Sequence, residues 1–390
     1  MHNINKVKML EFRQMSDDRG YWLVAEGGGI DIPFDIKRAF YIYGSDKDVI
    51  RGQHANRKSE FVLINVAGES KVRVKSKKGI DMKTVIVTGA TSMIGIATIK
   101  ECIKHGVRVL AISRSDSKRR SALPDSPLLS FVGADLSELK DLVIPDDSYD
   151  VIYHFGWGYT DRSTRDNEKL QEKNIEYCIG AVELGRRYGC KRFIGAGSQA
   201  EYGFRECEIT EETVCIPETA YGRAKVKACD EAIKLCGNYG IQCVWTRIFS
   251  VYGINDSPNV LVSYLVDKFI NGEVASFSSG KQYWNYLYED DAATYFYMLG
   301  KMSYPVDNLT GMILNVGSPV TKRLRDFIYE VEQEFGPDFK YEFTDKVEKG
   351  IRPNVSRLIN LTGYLPKVGF GEGMKRILNE SREKNSICQA

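Results

Sequence analysis

Val85-Ile86-Val87-Thr88-Gly89-Ala90-Thr91-Ser92-Met93-Ile94-Gly95 is the stretch that decides the fold. A short β-branched apolar run leads into a tight turn of small residues. The following Ile96-Ala97-Thr98-Ile99-Lys100-Glu101-Cys102-Ile103-Lys104 has the spacing of an amphipathic helix. Strand, turn and helix in that order place a helix N-terminus beside a backbone that a ligand can approach closely. That arrangement suits a pyrophosphate.

Working outward, the same rhythm recurs. Val109-Leu110-Ala111-Ile112-Ser113-Arg114 reads as a second strand. Phe131-Val132-Gly133-Ala134-Asp135-Leu136 is a third strand with its turn, and Val151-Ile152-Tyr153-His154-Phe155-Gly156-Trp157 a fourth strand and its loop. Phe193-Ile194-Gly195-Ala196-Gly197-Ser198-Gln199-Ala200-Glu201-Tyr202-Gly203 ends a further strand on a serine. Tyr221-Gly222-Arg223-Ala224-Lys225 then puts a phenol and an ammonium one helical turn apart. A nearby ammonium favours a phenolate, so Lys225 is expected to lower the Tyr221 pKa towards the range of a working acid or base.

This order, together with Thr246-Arg247-Ile248-Phe249-Ser250-Val251-Tyr252-Gly253 and Tyr286-Leu287-Tyr288-Glu289-Asp290-Asp291, resembles the extended short-chain dehydrogenases/reductases that act on nucleotide sugars. The resemblance covers Met82 to about Asn379. It implies an α/β fold, a Rossmann doubly wound parallel sheet with a smaller C-terminal substrate lobe. The Rossmann core would occupy about 82–250 plus 286–317, and the lobe about 251–285 and 318–380. By position it assigns Gly89, Thr91, Ser92, Met93, Ile94, Gly95, Ser113, Arg114, Asp135, Leu136, Phe155, Gly156, Asn174, Tyr221, Lys225 and Ile248 to the cofactor. Ser198, Tyr221 and Lys225 are its catalytic set, and Trp157, Gln199, Ser250 and Arg352 its substrate contacts. Arg352 is offered as a diphosphate contact because a guanidinium suits bidentate phosphate binding. His154 reads as a packed strand-end residue. Three departures stand out: Ser92 replaces the family's middle glycine, Ser250 its asparagine, and Trp284-Asn285 its Arg-Asp.

The first 81 residues precede this resemblance. Tyr21-Trp22-Leu23-Val24-Ala25, Phe40-Tyr41-Ile42-Tyr43 and Glu60-Phe61-Val62-Leu63-Ile64-Asn65-Val66 are β-rich runs broken by polar turns. Arg51-Gly52-Gln53-His54-Ala55-Asn56 resembles the H-A-H arrangement of the cupin-type 3,4-ketoisomerases of nucleotide-linked 4-keto-6-deoxyhexoses. Here the second histidine is Asn56, whose amide is no base near neutral pH. The family's later strands are missing, so 1–81 is expected to be a partial β jelly-roll, its residues 1–75 inactive and serving assembly through open edges.

At 390 residues the chain can bury a large core, and one to three domains fit. A net charge of +2 makes no electrostatic case for nucleic acid. No apolar run reaches membrane-span length and no signal-peptide pattern begins the chain, so a cytoplasmic location is expected. Nine cysteines, none at C-x-x-C spacing, read as reduced buried thiols with no metal site.

Gln199 and Ala200 follow Ser198 where a 4,6-dehydratase of this family needs an Asp-Glu pair, which leaves reduction of a 4-keto sugar or 4-epimerisation. Arg114, with Ser113 where NAD-binding members often carry an acid, favours a 2′-phosphate and hence NADP, with NAD possible. The reading is therefore a reductase of a nucleotide-linked 4-keto-6-deoxyhexose, expected as a homodimer. Its alternatives are a 4-epimerase and a catalytically degenerate scaffold of the same fold.

Overall fold

In the computed structural model, residues 14–17, 20–23, 80–145, 148–254, 256, 260–302 and 311–389 are described, with side chains from 80 to 383. The chain divides into two compact units, Met1–Lys78 and Gly79–Ala390. In the first, β1 (Gln14–Asp17) and β2 (Gly20–Leu23) form an antiparallel hairpin. Tyr21, Trp22 and Leu23 of the first N-terminal run fall in β2, while the expectations placed on His54, Asn56 and the runs at 40–43 and 60–66 lie outside the described residues.

The second unit is built from strands and helices in succession. β3 (Thr84–Thr88), α1 (Met93–Lys104), β4 (Arg108–Ser113), β5 (Leu129–Gly133), β6 (Val151–His154) and α2 (Glu168–Arg187) come first. β7 (Arg192–Ser198), α3 (Ala220–Tyr239) and β8 (Gln242–Ile248) follow. With β12 (Met312–Val316) these strands make a seven-stranded sheet in the order β12-β8-β7-β6-β3-β4-β5, paired in parallel throughout. All five residues of β3 and all four of β6 are buried, as expected for central strands covered on both faces. One face carries Val85, Val87, Ile99, Tyr153 and Phe296; the other carries Ile86, Ile152, Val182, Phe193 and Trp245. This alternation is the two-residue period of the strands expressed as two apolar layers. The order reverses direction between β3 and β6, and the crevice beyond their C-terminal ends is where an open α/β sheet binds ligand.

The smaller lobe is made from β9 (Ser250–Tyr252), α4 (Leu261–Ile270), β10 (Ala275–Phe277) and β11 (Tyr283–Tyr288), which runs into α5 (Glu289–Lys301). β13 (Thr321–Arg323), α6 (Leu324–Phe335), β14 (Tyr341–Phe343), α7 (Ser356–Thr362) and α8 (Phe370–Gln389) complete the chain. β9, β11 and β13 form a small sheet, and β10 pairs with β14. Tyr252, Phe277, Phe327 and Phe370 anchor a separate core. α5, by contrast, packs its Tyr295, Phe296 and Leu299 into the Rossmann sheet. Among the described residues no helix is long and apolar enough to cross a membrane, and no cluster of His, Cys, Asp or Glu could hold a metal ion.

The expectation of buried thiols needs one correction. Cys102, Cys178, Cys190, Cys229, Cys236 and Cys243 are buried, and Cys215 is half-buried, but Cys207 is exposed. It lies in the loop after Gly203, where no apolar layer covers it.

Candidate active site

β3 delivers its chain into the turn at Gly89, which has φ +66, a conformation open to glycine at little cost. A Cβ there would meet the backbone of Phe155 and Gly156, and a Cβ at Gly95 would meet the Gly89 carbonyl. The turn therefore packs backbone against backbone at the end of the central strands. Ser92, the departure from the family pattern, is the N-cap of α1, and its hydroxyl accepts from Gly95 N at 3.1 Å. A serine here satisfies one of the helix's free N–H groups itself, which a glycine could not do. Thr91 accepts a hydrogen bond from Ser117 at 2.9 Å, tying the turn to the segment after β4.

At the end of β4, Ser113 is buried while Arg114 is exposed, its Nε 3.7 Å from the Asp116 carboxylate. Asp135 caps a single turn after β5, accepting from Ser137 N at 3.0 Å and Ser137 Oγ at 2.8 Å. Those bonds, the backbone one first, hold its carboxyl below the usual range. The side chain of Leu136 fills the space that Gly156 leaves open.

β7 ends on Ser198. Its hydroxyl accepts from Ala200 N at 3.2 Å, and its N–H donates to the Glu201 carboxylate at 2.8 Å. α3 starts one residue before Tyr221, its N-cap Thr219 accepting from Gly222 N at 3.1 Å. Gly222 passes so close to the Ala200 carbonyl that a Cβ would collide with it, so α3 sits directly against the Ser198 turn. Serine, tyrosine and lysine are thereby gathered at one end of the sheet.

Residues 85–317 match the model described as the NAD dependent epimerase/dehydratase family. The chain belongs to that family. Residues 5–100 match the model described as WxcM-like, C-terminal, so both halves of the resemblance have their counterpart. A putative UDP-glucose 4-epimerase of Methanocaldococcus jannaschii is 25% identical over 316 residues, covering 77% of this chain and 99% of that protein. The UDP-glucuronate 4-epimerase of Thermodesulfobacterium geofontis is 23% identical over 323 residues, covering 78% and 98%. Among solved structures, the Bacillus cereus UDP-glucuronic acid 4-epimerase in complex with NAD superposes with TM-score 0.64 at 21% identity, covering 77% of this chain and 99% of its own. That likeness bears on the fold.

In this epimerase/dehydratase family member the electrostatics of the tyrosine differ from the expectation. Burial pushes the Tyr221 phenol above its ordinary value, opposed by a hydrogen bond with Ser198 and by the charge of Arg165. Lys225 is itself buried, and burial draws its ammonium down to about 7. Its Nζ donates to the Ala196 carbonyl at 2.5 Å and sits 3.5 Å from the centre of the Trp157 ring, against 5.6 Å from that of Tyr221. Helical spacing brought the two residues onto one face, but the lysine's head turns to the strand end and the indole.

The loop after β6 is held from α2. Asn174 accepts from Gly158 N at 2.7 Å and donates to Gly158 O at 3.1 Å. Gln171 accepts from the Trp157 indole at 3.0 Å and donates to the Tyr159 carbonyl at 2.8 Å. Among the described residues Tyr159 is the non-glycine residue with positive φ, +57, so these bonds hold a backbone that costs energy. Asn174, assigned to the cofactor, thus acts on the loop that carries Phe155, Gly156 and Trp157. His154 shares a 2.7 Å hydrogen bond with Thr88, and burial takes its pKa down to about 3, so it stays neutral.

Arg352 donates to the Glu206 carbonyl and lies 5.3 Å from the centre of the Tyr283 ring, while the next residue, Pro353, bridges to Ile209. Ile248 closes β8, pairing with Ser198 on one side and Val316 on the other. Ser250 opens β9 beside Tyr286. Gln199 has a buried Oε1 without a hydrogen-bond partner, next to Ser198. Asn285, a departure from the family pattern, is buried. It donates to Ser318 O and Val320 O and accepts from Ser318 N, at 2.7, 3.1 and 2.9 Å. It cross-links β11 to the loop before β13, a job that needs both a donor and an acceptor and that an aspartate could do only in part.

Sequence reading missed the charged pair beneath the site. Arg247 Nε donates to Glu201 Oε2 at 2.7 Å, with the two side chains 7% and 0% exposed. The other carboxylate oxygen accepts from Ser198 N and from the Trp245 indole at 3.0 Å. The signal was present, since Arg247 interrupts an otherwise largely apolar strand, Gln242–Ile248.

Proposed function

We propose that the chain is an NADPH-dependent reductase of a nucleotide-linked 4-keto-6-deoxyhexose. The observation that carries this is the gathering of Ser198, Tyr221 and Lys225 at the C-terminal end of β7, beside the glycine turn of β3. The turn fits a dinucleotide, because the missing Cβ atoms of Gly89 and Gly95 leave bare backbone beside a helix N-terminus. When bound, a nicotinamide exchanges a hydride with the sugar carbon. Tyr221 gives its proton to the oxygen that becomes an alkoxide, and Ser198 holds that oxygen by hydrogen bond. Lys225 binds the ribose, and Trp157 and Gln199 line the sugar. The unpartnered acceptor of Gln199 suits a sugar hydroxyl. Gln199 and Ala200 also offer no acid or base for a dehydration. Arg114, exposed at the end of β4 beside a serine, is open to a 2′-phosphate and favours NADP. The WxcM-like match of the first unit supports a deoxyhexose substrate, and Asn56 supports that unit's role in assembly, here as a homodimer, over isomerase chemistry.

The second reading is a nucleotide-sugar 4-epimerase, favoured by the names of the relatives above. The two differ in cofactor balance. The protein would be incubated with NADPH and 4-keto-6-deoxy sugars linked to dTDP, CDP, GDP and UDP. One NADPH consumed per sugar reduced is the expected result. Sugar inversion without net cofactor consumption would replace the reductase by the epimerase. Binding of neither NADPH nor NADH would leave a scaffold.

A further inference from the structure

The loop between β6 and α2 carries a guanidinium that the chemistry above leaves unused. Arg165 Cζ lies 4.3 Å from the centre of the Tyr221 ring, closer than the Lys225 ammonium at 5.6 Å. Arg165 is exposed, and among the described residues no carboxylate pairs with its side chain. Its neighbours fasten the loop to the helix of the tyrosine. Asp166 Oδ1 accepts from Ala220 N at 2.7 Å, and Glu168 pairs with Arg223 at 3.0 Å. Loop residues 165 and 166 and the first residue of α2, 168, thus face helix residues 221, 220 and 223, which brings the guanidinium over the phenol.

We propose that Arg165 is a positioning residue that supplies positive charge to Tyr221 from the loop side, in addition to Lys225 on the helix of the tyrosine. The inference rests on the reading of Tyr221 as the proton donor. A cation on the ring face interacts more favourably as the phenol gives up its proton and the ring gains charge. The other groups facing Tyr221 are few. The Ser198 hydroxyl on β7 favours its ionisation, and the buried Glu201 opposes it from the turn after β7. The Trp157 ring meets it edge to face at 5.9 Å. Lys225, on its own helix, lies 5.6 Å from the ring centre and donates to the Ala196 carbonyl beside the Trp157 indole. Arg165, 4.3 Å from the ring centre, favours the ionised phenol in this surrounding.

The test reads the tyrosine directly. Wild type, Arg165→Met and Arg165→Lys are produced with 3-fluorotyrosine, and the Tyr221 signal is identified by its absence from Tyr221→Phe. Its ionisation is then followed by fluorine NMR against pH, and the alkaline limb of kcat is measured alongside. Arg165→Met should raise the midpoint by about 0.5 pH unit or more, roughly a threefold fall in the ionisation constant. Arg165→Lys should restore at least half of that shift, because it keeps the charge. A changed chemical shift with an unchanged midpoint would mean that Arg165 only packs against the ring, and would overturn the inference. So would a Lys variant indistinguishable from Met. The NMR titration needs no substrate, so the midpoint result stands even if turnover in Tyr221→Phe removes the tyrosine from the chemistry.

Discussion

Replacing Glu201 by glutamine removes one charge from the floor of the site and almost no volume. The amide oxygen of the replacement would still accept from Ser198 N and from the Trp245 indole, as the carboxylate does at 2.8 and 3.0 Å. What the substitution removes is the anion opposite Arg247, whose side chain is only 7% exposed. The guanidinium keeps its 4.5 Å stacking on the Tyr202 ring but no longer faces a counter-charge. Leaving one member of a buried ion pair uncompensated costs about 3–5 kcal/mol. That is a large part of a typical total stability of about 5–15 kcal/mol. At about 2 °C per kcal/mol for a unit of this size, Glu201→Gln should lower the melting temperature by about 6–10 °C. Urea unfolding should give a matching fall in midpoint with an unchanged slope. Adding Arg247→Met removes the stranded charge, so the double variant should recover at least half of the loss. A Glu201→Gln protein that melts within about 1 °C of wild type would refute the reasoning, and a double variant less stable than the single one would show that packing of Arg247, not its charge, dominates.

Tyr221→Phe should keep cofactor binding by fluorescence titration yet lower turnover by at least about two orders of magnitude, with Ser198→Ala milder, as expected for loss of a general acid and of an orienting bond. Near-normal turnover in the phenylalanine variant would remove Tyr221 from the mechanism. Affinity for NADPH should exceed that for NADH by at least about tenfold, and Arg114→Ala should narrow the gap, since a charge-assisted contact contributes about 1.5–3 kcal/mol; equal affinities in wild type shift weight to the epimerase reading. Glu289 is buried at the start of α5, where burial raises its carboxyl to about 7 from 4.5. A raised acid stabilises the fold below its unfolded value and loses that contribution as pH climbs through 7, so Glu289→Gln should gain about 1–3 kcal/mol at pH 8 and nothing at pH 4. Equal gains at both pH values would rule out titration as the cause.

The parallel sheet was legible because β3, β4, β6 and β7 are short apolar runs ending in small or polar residues, a pattern that local sequence carries in full. Ser198, Tyr221 and Lys225 were legible for the same reason, since each is defined by its place on a strand end or a helix turn. The partner of Tyr221 was not. Helical spacing fixes which Cβ atoms share a face, but not where a four-carbon side chain ends, and the Lys225 head found Ala196 and Trp157 instead. Arg165 reaches the phenol from a loop far upstream, a relation that only the tertiary fold creates. Ser92 and Asn285 stand out as departures when compared with a family pattern. As physical objects they are a helix cap and a strand cross-link, and nothing in their one-letter identity announced which bonds they would make.

The glycine turn imposes a constraint on how this chain can change. A side chain at Gly95 would strike the Gly89 carbonyl, and one at Gly89 would strike the backbone at Phe155 and Gly156. Neither obstacle is the tip of a side chain that could swing away. A side chain at Gly156 would meet Leu136, which can be trimmed. Mutational drift can therefore enter the rim of the crevice from the Leu136 side, by a paired exchange at 136 and 156, while Gly89 and Gly95 admit no single compensating step. New specificities in a lineage built on this frame would arise around the loop after β6 and leave the first turn as it stands.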